Sequence, residues 1–183
     1  LSERVVKRRL DQHLAQNKLY NLYQSAYTKF HSTETALLSV YDSLIRATAK
    51  QQVSCLCLLD LSAAFDTIDH NILLHRLTSW FGISGSALSW FQSYLSSRSS
   101  IVSVSGLKSS SFSSSCGVPQ GSVLGPLLFI MYTTPLSNLI SNSPVSHHLY
   151  ADDTQLYLSF SPNSYASNIV QLQSVIAQVS TWM

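Results

Sequence analysis

Two adjacent carboxylates, Asp152 and Asp153, stand between two apolar, alternating runs near the end of the chain. Residues 147–150 lead into this pair and residues 154–160 lead out of it. Aromatic and β-branched residues on both sides of a short polar pair predict a strand, a tight turn and a second strand. Two negative charges at one hairpin tip raise each other's pKa unless a cation lies nearby. The pair is therefore either an ordinary exposed turn, where aspartate is common, or a cation site.

A second acidic cluster far upstream, Asp60, Asp66 and Asp69, favours the cation site. The two clusters hold five of the nine acidic residues, in a chain of 183 residues of which only 11% are charged. Asp60 ends a dense apolar run, which predicts a buried central strand that carries a carboxylate to its end. If that strand pairs antiparallel with the hairpin, the carboxylates converge. Such oxygen ligands suit Mg²⁺, and two such ions can support phosphoryl transfer onto a 3′-hydroxyl group.

The totals exclude several other classes of protein. The chain is long enough for one domain with a real core, and a net charge of +2 does not by itself predict nucleic-acid binding. The three cysteines show no metal-ligand spacing, and Cys55 and Cys57 are interpreted as small apolar fillers of a strand. No signal peptide is visible, and the longest apolar run, 123–132, is too short to span a membrane. We expect a soluble protein in a reducing compartment.

Periodicity predicts a mixed order of helices and strands. Helices are expected over 1–16, 33–50, 70–81, 86–97, 122–140 and 168–183, and strands over 53–60, 101–105 and both arms of the hairpin. Residues 17–31 have no clear period and are expected to form a loop. The helix over 33–50 is expected to face the core through its large apolar residues, which are Leu37, Leu38, Tyr41, Leu44 and Ile45.

Four stretches are recognisable. Residues 58–66 are similar to polymerase motif A, 117–126 to motif B and Tyr150-Ala151-Asp152-Asp153 to motif C, while 24–27 with 32–34 are similar to a fingers segment. In this order, and over essentially the whole segment, they resemble the reverse transcriptase domain of LINE-type non-LTR retrotransposons. The resemblance implies an α+β right-hand palm, an antiparallel sheet backed by helices, with part of the fingers and no thumb. It makes 1–183 a single partial domain, with 1–50 fingers-like and 51–183 palm, interrupted by a fingers segment at 70–115.

The resemblance also implies roles for individual residues in an RNA-directed DNA polymerase. Asp60 and Asp152 would bind Mg²⁺, for which Mn²⁺ could substitute, with Asp153 as the third carboxylate and the Leu61 carbonyl as a further ligand. The nucleotide would meet Phe65, Gln120 and Gly121, with the ring of Phe65 excluding a 2′-hydroxyl group. Tyr150 would lie near the primer end. For Phe65 and Tyr150 the alternative is core packing, and for Gln120 and Gly121 an ordinary turn.

Other polar residues are interpreted as structural. Asp66, Asp69 and His70 are expected to organise a turn and cap the following helix rather than bind metal. His147 and His148 are adjacent in a strand and so point to opposite faces, which argues against shared metal ligation.

The fingers segment departs from the family pattern. An arginine that holds the triphosphate usually follows the aromatic residue, but this sequence has Thr28 there. Lys29 could supply a point charge instead, without the planar fork of a guanidinium.

The implied partners are an RNA template, a DNA primer and deoxynucleoside triphosphates, without a membrane. A thumb and an endonuclease are expected in the parent protein, and an intracellular location, cytoplasm and nucleus, is expected from the family. An alternative is a truncated, non-catalytic remnant that binds nucleic acid at most, and an isolated fragment is expected to be weakly active or inactive. A palm of the group II intron or telomerase type is a third alternative.

Overall fold

The structure, a computed structural model, describes residues 2–61 and 63–182. The helices in this part of the chain are α1 (Ser2–Gln16), α2 (Thr33–Ala49), α3 (His70–Ser79), α4 (Gly85–Leu95), α5 (Gly125–Ser141) and α6 (Tyr165–Trp182), with a 3₁₀ turn at Pro162–Ser164 before α6. The strands are β1 (Val53–Leu59), β2 (Arg98–Ser100), β3 (Ser103–Val104), β4 (Leu107–Lys108), β5 (Phe112–Ser114), β6 (Ser146–Tyr150) and β7 (Asp153–Phe160). Helices mixed with antiparallel strands confirm the predicted α+β class.

The described residues fall into two compact units. One takes its residues from 1–19 and 63–132, and the other from 20–62 and 133–183. Both units are therefore discontinuous in sequence, and α5 contributes residues to each. The assignment of fingers and palm to particular residue ranges stays a prediction.

The second unit is built on a three-stranded antiparallel sheet with the strand order β1-β7-β6. β1 pairs with β7 from Val53 opposite Phe160 to Leu59 opposite Thr154. β6 pairs with β7 through the hairpin, which closes with Tyr150 opposite Asp153. The predicted pairing of the Asp60 strand with the hairpin is confirmed. The expectation that this strand is central is wrong, because β7 lies in the middle and β1 is half-exposed at the edge.

One face of this sheet covers the core of the unit. Alternate residues of β7 are buried, and the side chains at 156, 158 and 160 form a cluster with the second half of α5 and with α6. Cys55, Cys57 and Leu59 pack against the same cluster from β1. Their shared face follows from the alternation of side chains along a strand. The two cysteines are thus apolar fillers, as the sequence predicted.

Helix α2 contacts all three strands of this sheet. Ser32 caps it, since the Ser32 hydroxyl accepts from the Thr35 backbone N–H at 3.3 Å and the Thr35 hydroxyl accepts from the Ser32 N–H at 2.9 Å. The predicted inward face is wrong. The smaller residues Ala36, Val40 and Ala47 are buried, whereas most of the large ones are exposed, namely Leu37, Leu38, Tyr41 and Ile45. Small side chains let the helix backbone lie close to its neighbours, which leaves the large ones on the adjacent stripe.

In the first unit α3 packs against α4, and Leu10 and Leu14 of α1 are buried. Asp69 caps α3 by accepting from the Ile72 N–H at 2.9 Å. The strand expected over 101–105 is only partly present: β3 pairs with β4 in a short hairpin, and β2 pairs with β5. Trp80, within the helix predicted over 70–81, is 39% exposed.

None of the helices in the described part of the chain combines the length and apolar character needed to cross a bilayer.

Candidate active site

Asp60 and Asp153 lie side by side at one end of the sheet. Asp60 directly follows Leu59, and Asp153 directly precedes Thr154, which is the partner of Leu59 in the ladder. Leu59 and Thr154 turn toward the core, so the alternation of side chains turns Asp60 and Asp153 toward the opposite face. Both aspartates are exposed. The register thus brings together two carboxylates that are 93 residues apart in sequence.

Asp152 occupies the tip of the hairpin. Tyr150 and Asp153 are the last pair of the ladder, which leaves Ala151 and Asp152 as a two-residue loop. Ala151 has φ of +53°, in the left-handed region that two-residue hairpin loops require at their first central position. This conformation is unfavourable for a residue with a Cβ atom. Asp152 is half-buried in this tight loop, directly before Asp153 at the start of β7.

The negative charges of Asp152 and Asp60 act electrostatically on Asp153. Partial burial raises the pKa of Asp153 above its usual value, and the negative charges of Asp152 and then Asp60 raise it further. Like charges that oppose ionisation in this way mark a place where a cation would be stabilised. The effect of the Asp60 charge on the pKa of Asp153 agrees with the proximity that the strand register indicates.

The donor chemistry fits a divalent cation, since carboxylates and the Leu61 carbonyl are hard oxygen ligands. Within residues 2–61 and 63–182, however, no three His, Cys, Asp or Glu side chains are gathered closely enough to hold a metal ion together. Asp60 and Asp153 are exposed, so their side chains are free to rotate toward a shared ion. The backbone places the ligands in neighbouring positions, and the final coordination geometry would depend on these rotations.

The fingers segment lies along the outer edge of β6. The Leu149 N–H donates to the Tyr23 carbonyl at 2.7 Å, and the Ser25 N–H donates to the Leu149 carbonyl at 3.0 Å. These bonds form a parallel bridge centred on Gln24 and Leu149. The segment expected to be a loop is therefore irregular but pinned to the strand that leads into the acidic turn.

Tyr27 lies near the acidic turn, which sequence reasoning did not anticipate. Partial burial raises the pKa of the Tyr27 phenol above its usual value, and the charge of Asp152 and then Tyr150 raises it further. The signal was present in the sequence, because Tyr27 is the aromatic residue of the fingers segment. Lys29, the proposed triphosphate contact, lies with its Nζ 4.7 Å from the ring centroid of Phe30, and nothing in the structure tests its role.

His147 and His148 are both buried in β6 and serve the fold. The Nε2 atom of His148 is 2.9 Å from the Ser25 hydroxyl, and the ring of His147 lies 4.2 Å from that of Tyr23. Burial lowers the pKa of His147 to about 4, with a smaller contribution from His148. Burial also lowers the pKa of His148, and the charge of His31 lowers it further. Both rings contact residues 23–25, as a structural role requires.

In the first unit the turn after motif A is joined to motif B. The Gly117 N–H donates to the Ile68 carbonyl at 2.8 Å, and the Val118 N–H donates to the Phe65 carbonyl at 2.9 Å. The Nε2 atom of His70 is 2.7 Å from the Gly117 carbonyl oxygen. The interpretation of His70, with Asp69, as an organiser of this turn agrees with the structure.

Three of the residues predicted to meet the nucleotide, Phe65, Gln120 and Gly121, lie in this first unit, whereas Lys29 belongs to the second. Phe65 is half-buried and stacks on Phe129, with ring centroids 4.6 Å apart. Gln120 is exposed and donates to both carboxylate oxygens of Asp66 at 3.3 Å. Gly121 has φ of +76°, which favours glycine. These contacts fit both the nucleotide role and the structural alternative, so the assignment stays a prediction.

The family comparison decides the identity. Residues 1–183 match the family described as "Reverse transcriptase (RNA-dependent DNA polymerase)". This chain belongs to the reverse transcriptase family. The relatives are retrotransposon proteins. The chain is 31% identical over 136 residues to the RNA-directed DNA polymerase from mobile element jockey of Drosophila funebris. This alignment covers 72% of the chain and 15% of that protein. It is 26% identical over 192 residues to the probable RNA-directed DNA polymerase from transposon BS of Drosophila melanogaster, covering 100% of the chain and 20% of that protein.

The match to a reverse transcriptase domain of the LINE-type non-LTR class is thus confirmed. The chain spans a fifth or less of the length of these relatives.

Solved structures support the polymerase palm as the fold. Apo telomerase from Candida tropicalis, truncated from the C-terminal domain, superposes with a TM-score of 0.66 at 15% identity and covers 94% of this chain and 36% of that one. Telomerase from Candida albicans in complex with a fragment of telomeric RNA gives 0.60 at 14% identity and covers 92% of this chain and 31% of that one. At this identity the similarity shows the fold alone.

Proposed function

We propose that this chain forms the catalytic core of an RNA-directed DNA polymerase, in which Asp60, Asp152 and Asp153 form the reaction centre. The observation that carries the proposal is the register of β1 and β7, which brings Asp60 beside Asp153 at the hairpin tip. The retrotransposon relatives, named as RNA-directed DNA polymerases, support the same assignment.

In the proposed reaction the primer 3′-hydroxyl attacks the α-phosphorus of a deoxynucleoside triphosphate. The new bond joins the 3′-oxygen to the α-phosphorus, and the proton of the 3′-hydroxyl group passes to solvent. The bond from the α-phosphorus to the bridging oxygen breaks, and pyrophosphate leaves with that oxygen. Bound Mg²⁺ would stabilise the charge on the attacking and leaving oxygens. Asp60, Asp152 and Asp153 would hold the cations, with the Leu61 carbonyl as a further ligand.

The other residues would position the substrates. The stacking of Phe65 on Phe129 restrains the ring that would exclude a 2′-hydroxyl group. Gln120 would have to exchange its contact with Asp66 for one with the nucleotide. Tyr150, opposite Asp153 in the ladder, would lie at the primer end, and Lys29 would approach the triphosphate. The expected partners are an RNA template, a DNA primer and deoxynucleoside triphosphates.

Primer extension on an RNA template with Mg²⁺ tests the proposal, using the full-length protein. Asp60→Ala and Asp152→Ala should each abolish incorporation. Asp42→Ala is the matched control, because Asp42 is an exposed aspartate of the same unit that pairs with Arg46 on α2. Incorporation by Asp60→Ala equal to that of the unmodified protein would rule out the proposed reaction centre.

A further inference from the structure

The side chain of Gln24 holds the peptide groups of the acidic turn. Its Nε2 donates to the Ala151 carbonyl at 3.2 Å, and its Oε1 accepts from the Ala151 N–H at 3.0 Å. Gln24 and Ala151 are 127 residues apart in sequence. Both polar backbone groups of Ala151 are thus satisfied by one side-chain amide.

Gln24 is itself rigidly placed. It is only 3% exposed, and its Oε1 also accepts from the Ala26 N–H at 2.9 Å. The residues on either side of it are bonded to Leu149 of β6, as described above. The Thr28 hydroxyl donates to the Gln24 carbonyl at 3.3 Å and closes the segment on itself. The amide is therefore fixed before it meets the turn.

The turn needs such support. Ala151 carries a Cβ atom at φ of +53°, a strained conformation that persists only where the surroundings impose it. The next two residues carry negative charges that repel each other. A loop with this strain and this repulsion would rearrange unless its backbone were held from outside.

We propose that Gln24 is a positioning residue, which holds the Ala151 peptide and thereby fixes where the carboxylates of Asp152 and Asp153 lie for cation binding. This inference rests on the proposed function, because it takes those carboxylates as the cation ligands. Gln24 does not touch the reacting atoms and acts only through the backbone of the turn. A side-chain amide can both donate and accept, and the Gln24 amide does so with the carbonyl and the N–H of the same residue, Ala151.

Two substitutions separate positioning from simple stabilisation. Gln24→Met keeps the approximate size and removes all the side-chain hydrogen bonds. Gln24→Asn keeps the amide but shortens its reach by one methylene group, so it no longer spans the distance to Ala151. Ser25→Ala is the matched control, because Ser25 is also 3% exposed and its hydroxyl bonds to His148 and His31 rather than to the turn.

The readout is Mn²⁺ affinity of the full-length protein, measured by electron paramagnetic resonance of the free ion. Gln24→Met and Gln24→Asn should each weaken Mn²⁺ binding about 10-fold or more, the usual effect of losing a group that orients metal ligands. Ser25→Ala should lower the melting temperature and leave Mn²⁺ affinity unchanged. Unchanged affinity in both Gln24 variants, or equal weakening in Ser25→Ala, would overturn the inference. If Gln24→Met fails to fold, the affinity of Gln24→Asn decides alone.

Primer extension by Asp60→Ala and Mn²⁺ binding by the Gln24 variants, both measured on the full-length protein, distinguish failure of this inference from failure of the proposed function. If Asp60→Ala abolishes primer extension while the Gln24 variants bind Mn²⁺ normally, the inference fails and the polymerase function stands. If Asp60→Ala extends primers normally, the proposed function fails. The Mn²⁺ affinities of the Gln24 variants then still decide whether Gln24 holds the cation-binding turn.

Discussion

Gly117 lies against the backbone of Asp66, so closely that a Cβ atom added to Gly117 would be 3.0 Å from both the Cα and the carbonyl oxygen of Asp66. Gly117 also has φ of +82°. Glycine is therefore required twice, once for the conformation and once for the close approach. This contact joins the turn after motif A to motif B.

We expect Gly117→Ala to lower the free energy of unfolding by about 2–4 kcal/mol, since it combines backbone strain with a backbone clash. Gly106→Ala is the matched control, because Gly106 has the same φ of +82° and nothing within 4 Å of an added Cβ. It should cost only the conformational part, about 1–2 kcal/mol. Urea unfolding of both variants gives the comparison, and equal losses would show that the close approach is unimportant.

The effect of Asp60→Asn on stability should depend on whether a divalent metal is present. Without divalent ions the substitution removes a charge that raises the pKa of Asp153, so the melting temperature should stay the same or rise slightly. With Mg²⁺ at 100 times its Kd the unmodified protein should gain about 2.7 kcal/mol of stability, and Asp60→Asn should gain much less. Thermal melts with and without Mg²⁺ measure both effects.

Asp42→Asn controls for the general loss of an aspartate, because it should keep the full Mg²⁺ response. An equal Mg²⁺ response in Asp60→Asn would mean that Asp60 does not share an ion with the hairpin.

The antiparallel partnership of the Asp60 strand and the hairpin could be predicted, because an apolar run that ends in a carboxylate and an alternating run with an acidic turn are local patterns. The hydrogen bonds between the Gln24 side chain and the backbone of Ala151 could not be predicted from the sequence. A hydrogen bond between one side chain and a peptide 127 residues away leaves no periodic signal in the sequence. The edge position of β1 was also missed. A continuous apolar run indicates that a segment is buried, but it does not show whether strands lie on both sides of it or on one side only.

The buried face of α2 was mispredicted for a related reason. A stripe of large apolar residues and a stripe of smaller ones run along the same helix, and periodicity alone favours the larger. In the structure Val40 is 5% exposed and Leu38 is 64% exposed. The choice between stripes depends on how closely the helix approaches its neighbours, which only the packed fold determines.

This packing predicts unequal costs for the same change at two neighbouring positions. Val40→Ser should destabilise the protein by about 2 kcal/mol or more, because it removes buried apolar atoms and buries a hydroxyl. Leu38→Ser should change stability by less than about 0.5 kcal/mol, as surface substitutions usually do. Chemical denaturation measures both. A larger loss of stability for Leu38→Ser than for Val40→Ser would mean that α2 buries the face that periodicity predicted.

His147 should make the stability of the fold depend on pH. Burial holds its pKa at about 4, whereas the unfolded chain has the ordinary value of 6.5. Above pH 6.5 the ring is neutral in both states and has no effect. As the pH falls from 6.5 to 4 the unfolded chain takes up a proton that the folded protein does not, so stability decreases by up to about 1.4 kcal/mol per pH unit. Below about pH 4 both states are protonated and the loss levels off.

His147→Phe removes this titration and keeps a ring against Tyr23. Its stability relative to the unmodified protein should therefore rise as the pH falls from 6.5 to 4, by roughly 3 kcal/mol in total. At pH 8 the variant should be at least as stable as the unmodified protein, because the Nε2 atom of His147 is buried without a hydrogen-bond partner among the described residues. Urea unfolding at several pH values tests this. Parallel stability curves for the two proteins would show that His147 is not held neutral in the fold.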